Sequence, residues 1–394
     1  MRLKSVAAAF AAVGLVMPGF VHATNGMLME GYGPIAAGLG GAAMAYDNGT
    51  AAMANNPATL ALMAPGSRID LMVGHVGPDV SVPSTPMGAL GDSSADAFYM
   101  PAFGFVRKQG DFTYGVGVYG QGGMGTEYAS GDMAQVGVGR VIFPLAWNVN
   151  ERFTVGGSVD VVWAGMDLVA DINGSPASKE INFKDDSDFT GAAKGYSLAA
   201  KLGFTYKLDD ALTVGGVYQT AANLPKLKGD GYTVEGFDMP AVVGLGFAWQ
   251  ANARLMVAAD VKQLLWGDSM NTVTMRGPGG LVVPFQQDWE NQTVVSLGVA
   301  YKFNDALTGR VGYNHGKNPI PDATVNLLWP AIVEDHYTAG FGYVFSKQSE
   351  LNFAVSYVPE VSVTGTGLPP PNGNGGITID HSQLNWQLMY TYRF

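Results

Sequence analysis

The chain ends Gln383-Leu384-Asn385-Trp386-Gln387-Leu388-Met389-Tyr390-Thr391-Tyr392-Arg393-Phe394. Leu384, Trp386, Leu388, Tyr390, Tyr392 and Phe394 fall on one face of a period-2 strand. The same alternation recurs upstream. Phe153, Val155, Val159, Val161 and Trp163 alternate with Arg152, Thr154, Ser158 and Asp160, and Tyr196, Leu198, Leu202, Phe204 and Tyr206 with Ser197, Lys201 and Thr205. Val295, Leu297, Val299, Tyr301 and Phe303 form a third such face, and Tyr337, Ala339, Phe341, Tyr343 and Phe345 a fourth. One face is apolar with aromatic ends; the other is small, polar or charged. A soluble sandwich also alternates, but aromatic residues near strand ends and inward charges such as Arg152, Asp160, Asp260, Lys262 and Arg310 fit lipid outside and a wet lumen inside.

The connections alternate in length. Turns rich in Asn, Asp and Gly fall at Lys108–Asp111, Asn148–Glu151, Leu208–Ala211, Ala251–Ala253, Asn304–Ala306 and Lys347–Ser349. Six such hairpins, a first strand near Arg68–Val76 and a last at Gln383–Phe394 make fourteen strands. The long connections are expected near 77–97, 121–135, 168–192, 221–238, 268–288, 315–333 and 360–380. Short inner turns, long outer loops and an even strand number predict an all-β, 14-stranded antiparallel transmembrane β-barrel. The terminal Phe394 strand reads as the signal by which the barrel-assembly machinery recognises such chains.

Met1–Ala23 reads as a signal peptide: Arg2 and Lys4, an apolar core from Val6 to Val16, and Val21-His22-Ala23 before the mature start at Thr24. Only 14% of residues are charged, against about 25% in soluble domains. There is no cysteine, which excludes disulfides and thiolate metal sites. The net charge of −11 excludes nucleic acid as a partner.

Residues 24–67 break the alternation. They are rich in Gly and Ala, poor in charge, and carry Asn55-Asn56-Pro57-Ala58, where Pro57 turns the chain. Fourteen strands close at a backbone diameter of roughly 28 Å, too wide for side chains alone to fill. This segment is the N-terminal hatch expected to plug the lumen, with residues 68–394 forming the barrel.

The leader, the Gly-rich segment ending in Asn56-Pro57-Ala58, the fourteen strands and terminal Phe394 together resemble the FadL family of outer-membrane transporters for long-chain fatty acids and other hydrophobic compounds. The stretch Tyr119–Tyr128 is similar to the family's third strand, which kinks inward and opens the wall; Gly120, Gly122, Gly123 and Gly125 supply a local reason for a bulge there. The resemblance implies uptake of a hydrophobic small molecule through a lumen site beside the hatch N-terminus, hatch movement and lateral exit through the wall. It implies a monomer set among outer-membrane lipid and lipopolysaccharide, without a cofactor or catalytic residues. By the same resemblance Thr24, Asn25, Met27, Leu28 and Met29 touch ligand, with Met suited to irregular apolar shapes. For a carboxylate-bearing ligand the cations on predicted inner faces are Arg140, Lys201, Lys262 and Arg310, of which Arg140 is the candidate contact, although each is more readily expected to pair with Asp160, Asp260 or Glu290. Val162–Met166 holds no cation, which leaves open a neutral substrate such as an alkane or aromatic hydrocarbon. The alternative class is a general diffusion porin or structural outer-membrane barrel.

Other motifs fail on context. Gly115-Val-Gly117-Val-Tyr-Gly120 matches a dinucleotide fingerprint but lies within a strand. Asp186–Gly191 begins like a calcium loop whose terminal Glu would fall at Ser197; a looser cation site on this acidic loop stays open. The histidines are scattered without zinc spacing, and adjacency of His381 and Ser382 does not make a nucleophile–base pair.

Overall fold

The computed structural model describes residues 25–86, 88–171, 181–185, 191–368 and 374–394; the leader, Thr24 and residues 186–190 lie outside these. Fourteen long strands form the wall: β1 Gly66–Val76, β2 Phe98–Gln109, β3 Phe112–Glu127, β4 Met133–Asn148, β5 Phe153–Ala170, β6 Ala193–Lys207 and β7 Leu212–Gln219 in the first half. The second half holds β8 Val242–Asn252, β9 Leu255–Leu264, β10 Gln292–Lys302, β11 Leu307–Gly316, β12 Asp335–Val344, β13 Ser349–Thr364 and β14 Thr378–Arg393. Each pairs antiparallel with its sequence neighbour, and β14 returns to β1 from Arg68↔Arg393 to His75↔Trp386, which closes the barrel.

Period-2 alternation sets which side faces lipid. On β6, Tyr196, Leu198 and Leu202 are 68%, 69% and 68% exposed on the outer face, while Lys201 and Thr205 on the opposite face are buried. From Tyr196 to Tyr206 is ten residues, about 33 Å along the strand, or about 25 Å of height at a tilt near 40°. That matches the apolar band of an outer-membrane barrel. Exposed Phe112, Trp147, Tyr206, Phe303, Phe345 and Phe394 ring the end with the short turns; Tyr99, Tyr196, Tyr218, Tyr337 and Tyr357 ring the other.

Beyond the upper ring the strands run further than expected. The connection read at 121–135 is strand except for residues 128–132, because Gly122–Glu127 pair with Val138–Met133. Likewise β5 continues to Ala170 and pairs there with Ile181–Phe183, and β13 reaches Thr364. Above the membrane no lipid enforces one apolar face, so pairing persists while the alternation that signals it fades. The short strands Leu227–Gly229, Tyr232–Glu235, Thr272–Arg276 and Val282–Gln286 pair in series in these outer loops. Buried Trp266, Trp289, Trp329, Phe237 and Ile332 make an apolar core continuous with Met27 and Leu28 of the hatch.

Residues 25–65 sit inside the barrel as a short helix, α1 Pro34–Ala37, two single turns at Thr50–Met53 and Pro57–Leu62, and irregular chain. Irregular buried backbone needs partners, and the wall supplies them. Lys262 Nζ donates to the Glu30 and Gly41 carbonyls (3.2 and 3.0 Å), and Lys108 Nζ to those of Ala61 and Met63 (2.6 and 2.9 Å). Asp260 accepts the Ala43 N–H at 2.6 Å, and Asp70 that of Thr50 at 2.6 Å. Arg68 grips Asp47 with two bonds of 2.7 Å. The inward charges are largely spent on partners: Arg140, Lys201 and Asp160 bond one another, Asp260 and Lys262 bond the hatch, Arg310 bonds Asn352, and a polar void of about 670 Å³ remains between the hatch and the lower wall. Arg152 lies in the exposed turn before β5, and Glu290 lies outside the lumen, exposed in an outer loop with Lys317 at 3.6 Å.

Candidate functional site

The β2–β3 ladder runs from Gln109↔Phe112 up to Phe103↔Val118 and stops. Above it Phe98–Ala102 pair only with β1 among the described residues, while β3 stays paired with β4. A register shift between Gly120 and Gly122 inserts Gln121 as an extra residue, a bulge that bends β3. Leu28 of the hatch forms a bridge with Gly122. A Cβ at Gly122 would overlap the Met27 carbonyl oxygen, so only glycine admits this approach. The hatch N-terminus thus lies against the bulge, beside an interrupted wall.

A cavity of about 410 Å³ occupies this place. Lumen-facing Met27, Leu28, Val136 and Val138 line it, and so do outward-facing Tyr99, Pro101 and Val118, so it runs through the wall at the gap. Its lining is mostly apolar. No Lys or Arg is among the described lining residues. Its acids are Asp167, which accepts the backbone N–H of Ala192 (2.6 Å) and Asp185 (3.2 Å), and Glu30 of the hatch. Burial pushes the Glu30 carboxyl up to about 7 against the weaker pull of its own backbone N–H and of Lys262.

Of the expected ligand contacts, Met27, Leu28 and Met29 line the cavity together with Gly120, Gly122, Gly123 and Gly125. Asn25 lines a smaller neighbouring void of about 50 Å³ with Glu30, Tyr32 and Lys262. Arg140 stands apart from the cavity, fully buried on β4, 3.0 Å from Asp160, whose same oxygen takes Lys201 Nζ at 2.7 Å. Arg310 bonds Asn352 at 3.0 Å. Asn56, Pro57 and Ala58 are an anchor away from the cavity. The Asn56 side chain caps the turn Pro57–Leu62 by accepting the Ala58 N–H, and donates to Met44 O (2.7 Å) and to Phe204 O on β6 (3.2 Å). It packs flat on the wall at Gly203, and Ala58 does so at Gly156, where any side chain would collide.

Sequence reasoning missed Phe98 and Met100, whose side chains stand opposite Gly125 and Gly120 across the gap, and the polar row His381, Gln383 and Asn385 on the inner face of β14. The alternation that marked Leu384 and Trp386 as outward also marks that row as inward. The stretch Gly115–Gly120 is extended strand with no helix after it.

The model of the family described as outer membrane protein transport protein (OMPP1/FadL/TodX) matches residues 25–369. Among solved structures, the P. putida toluene transporter TodX is 28% identical, with a TM-score of 0.80 over 93% of this chain and 99% of that one. The Ralstonia pickettii toluene transporter TbuX is 25% identical, with a TM-score of 0.74 over 93% and 99%. A Pseudomonas aeruginosa FadL homologue, 18% identical over 94% and 100%, shares the fold with a TM-score of 0.77. A Chlorobium limicola protein described as uncharacterized, in the 5′ region of a phosphoenolpyruvate carboxykinase gene, is 41% identical over 83 residues, 21% of this chain and 41% of that one. The closed 14-strand barrel and the matched span place the chain in the outer membrane. It belongs to the OMPP1/FadL/TodX family of outer-membrane transport proteins.

Proposed function

We propose that the barrel carries small neutral hydrophobic solutes, of the aromatic hydrocarbon class, into the cell. The observation that supports this is the apolar cavity with no cation in its described lining, set where the β2–β3 ladder stops. A fatty acid would bring a carboxylate into a lining with no cation to pair it. A neutral ring suits the glycine floor of β3 and the flexible Met27 and Met29. The toluene transporters that the fold resembles point the same way.

In this reading solute enters from the outer loops and rests against Met27–Met29. It leaves sideways between Phe98–Ala102 and Tyr119–Glu127 when the hatch N-terminus shifts. The leader ends at Ala23, the hatch follows it up to β1 at Gly66, and Asn25 lines the void beside the site. The barrel works as a monomer within lipid and lipopolysaccharide, after insertion by the assembly machinery. A diffusion porin is the weaker reading, because the hatch occupies the lumen. The test is uptake of labelled toluene and labelled oleate by cells expressing the protein. Toluene entry should rise several-fold over cells without it and oleate entry should not; accelerated oleate with unchanged toluene overturns the proposal.

A further inference from the structure

Three polar side chains interrupt the apolar cavity wall in a fixed order. His381, Gln383 and Asn385 alternate on the inner face of β14, each at most 7% exposed, and all three line the cavity. Asn385 Oδ1 accepts the Gly77 N–H at 3.1 Å, and Asn385 Nδ2 donates to Gln383 Oε1 at 3.0 Å. Gln383 Nε2 lies 3.1 Å from His381 Nε2, and His381 Nδ1 lies 2.7 Å from the Pro330 carbonyl.

The two ends set every orientation between them. A backbone N–H can only donate and a carbonyl can only accept. Hence His381 carries its proton on Nδ1, its Nε2 accepts from Gln383, and Gln383 accepts from Asn385. A charged imidazole would turn an N–H toward Gln383 and break the order.

Each amide nitrogen has two hydrogens and spends one in this row. Gln383 and Asn385 therefore each keep one N–H with no protein acceptor among the described residues. Water meets such donors in an unfilled cavity. A hydrocarbon that displaces the water leaves them bare, whereas a neutral oxygen on the solute replaces it bond for bond. A carboxylate is disfavoured because no cation is among the described lining residues.

We propose that Gln383 and Asn385 form a hydrogen-bonding subsite that selects hydrophobic solutes bearing one uncharged oxygen, such as an aromatic ketone or alcohol, over the parent hydrocarbon. This rests on the reading of the cavity as the site for neutral hydrophobes. Sites that hold a substrate oxygen reject the analogue lacking it because buried polar groups are left unpaired.

The test compares acetophenone with ethylbenzene, which share a carbon skeleton, on the full barrel in lipid nanodiscs corrected for empty nanodiscs. In Gln383→Met and Asn385→Leu, acetophenone affinity should fall roughly tenfold, the size of one or two lost bonds, while ethylbenzene is unchanged or gains. Heat-modifiable migration confirms that each variant has folded. A second measurement needs no variant: the infrared carbonyl band of isotope-labelled acetophenone bound to the wild-type protein should shift to the hydrogen-bonded frequency. A band at the apolar-solvent frequency, or an equal loss of both solutes in the variants, overturns the subsite while leaving the hydrophobe cavity standing. If neither solute binds the wild-type protein, the cavity reading falls and the subsite falls with it.

Discussion

Glu30 is one of two acids that the hatch carries into the barrel interior, the other being Asp47 on Arg68, and the burial of Glu30 is expected to make hatch docking depend on pH. Its folded value of about 7 lies above the ordinary 4.5, with desolvation the main cause. The docked state thus keeps a proton that the released segment gives up between those values. Docking is strongest below pH 4.5, weakens as pH rises through the window, and levels off above about 7. That span corresponds to about 3 kcal/mol. A nitroxide at Met29→Cys should grow more mobile from pH 5 to pH 8, and Glu30→Gln should flatten the profile; an undiminished pH response in that variant would assign it to another group. Single residues were unevenly legible in the sequence. Met27–Met29 stood out as apolar chain directly after the leader. Arg140 was rightly read as inward and Asp160 was among its expected partners; that Lys201 on β6 shares the same Asp160 oxygen was not legible, because which residues face each other across strands depends on a register the sequence does not print.

At the scale of the element, the Gly-rich stretch of β3 was read as the place where regular structure breaks, and the break proved to be of a particular kind. β3 itself runs on to Glu127, and what stops is its pairing with β2. Glycine content signals a weak strand but not which neighbour is lost. The anchor Asn56-Pro57-Ala58 was legible as a turn; its seat was not, because Gly156 and Gly203 lie about 100 and 150 residues away and look like ordinary strand glycines. The bulge gives a prediction specific to this geometry. A side chain at Gly122 meets the Met27 carbonyl, so Gly122→Val should push the hatch N-terminus off the wall. Solute uptake should drop at least fivefold, and protease cutting near Met27 should increase while the barrel stays heat-modifiable. Gly137→Ala is the control, since a Cβ there meets nothing within 4 Å and uptake should hold. Equal uptake in both variants would detach the bulge from transport.

For the whole molecule, strand number, sidedness and the plug followed from period 2, turn chemistry and the arithmetic of closure. The outer cap did not, since its strands are only three to five residues long and too short for alternation to mark them. The molecule also divides its interior between two tasks. Residues 38–63 are bonded to the wall through Asp260, Lys262, Lys108, the side chain of Asn56, and Arg68, which holds their Asp47. Residues 25–30 touch the wall mainly through the Leu28–Gly122 bridge and Lys262 on the Glu30 carbonyl. On the proposed function, sealing and gating would then belong to different parts of one segment. Deleting residues 25–63 behind the leader should give a barrel with large, steady single-channel conductance. It should still assemble, because Arg68, Lys108, Asp260 and Lys262 would then face water and be hydrated rather than buried without partners. Deleting only 25–30 should leave conductance near zero, since the bonded part remains, yet abolish solute binding. A large conductance from the intact protein, or from the short deletion alone, would show that the bonded part is not the seal and would return the porin reading to favour.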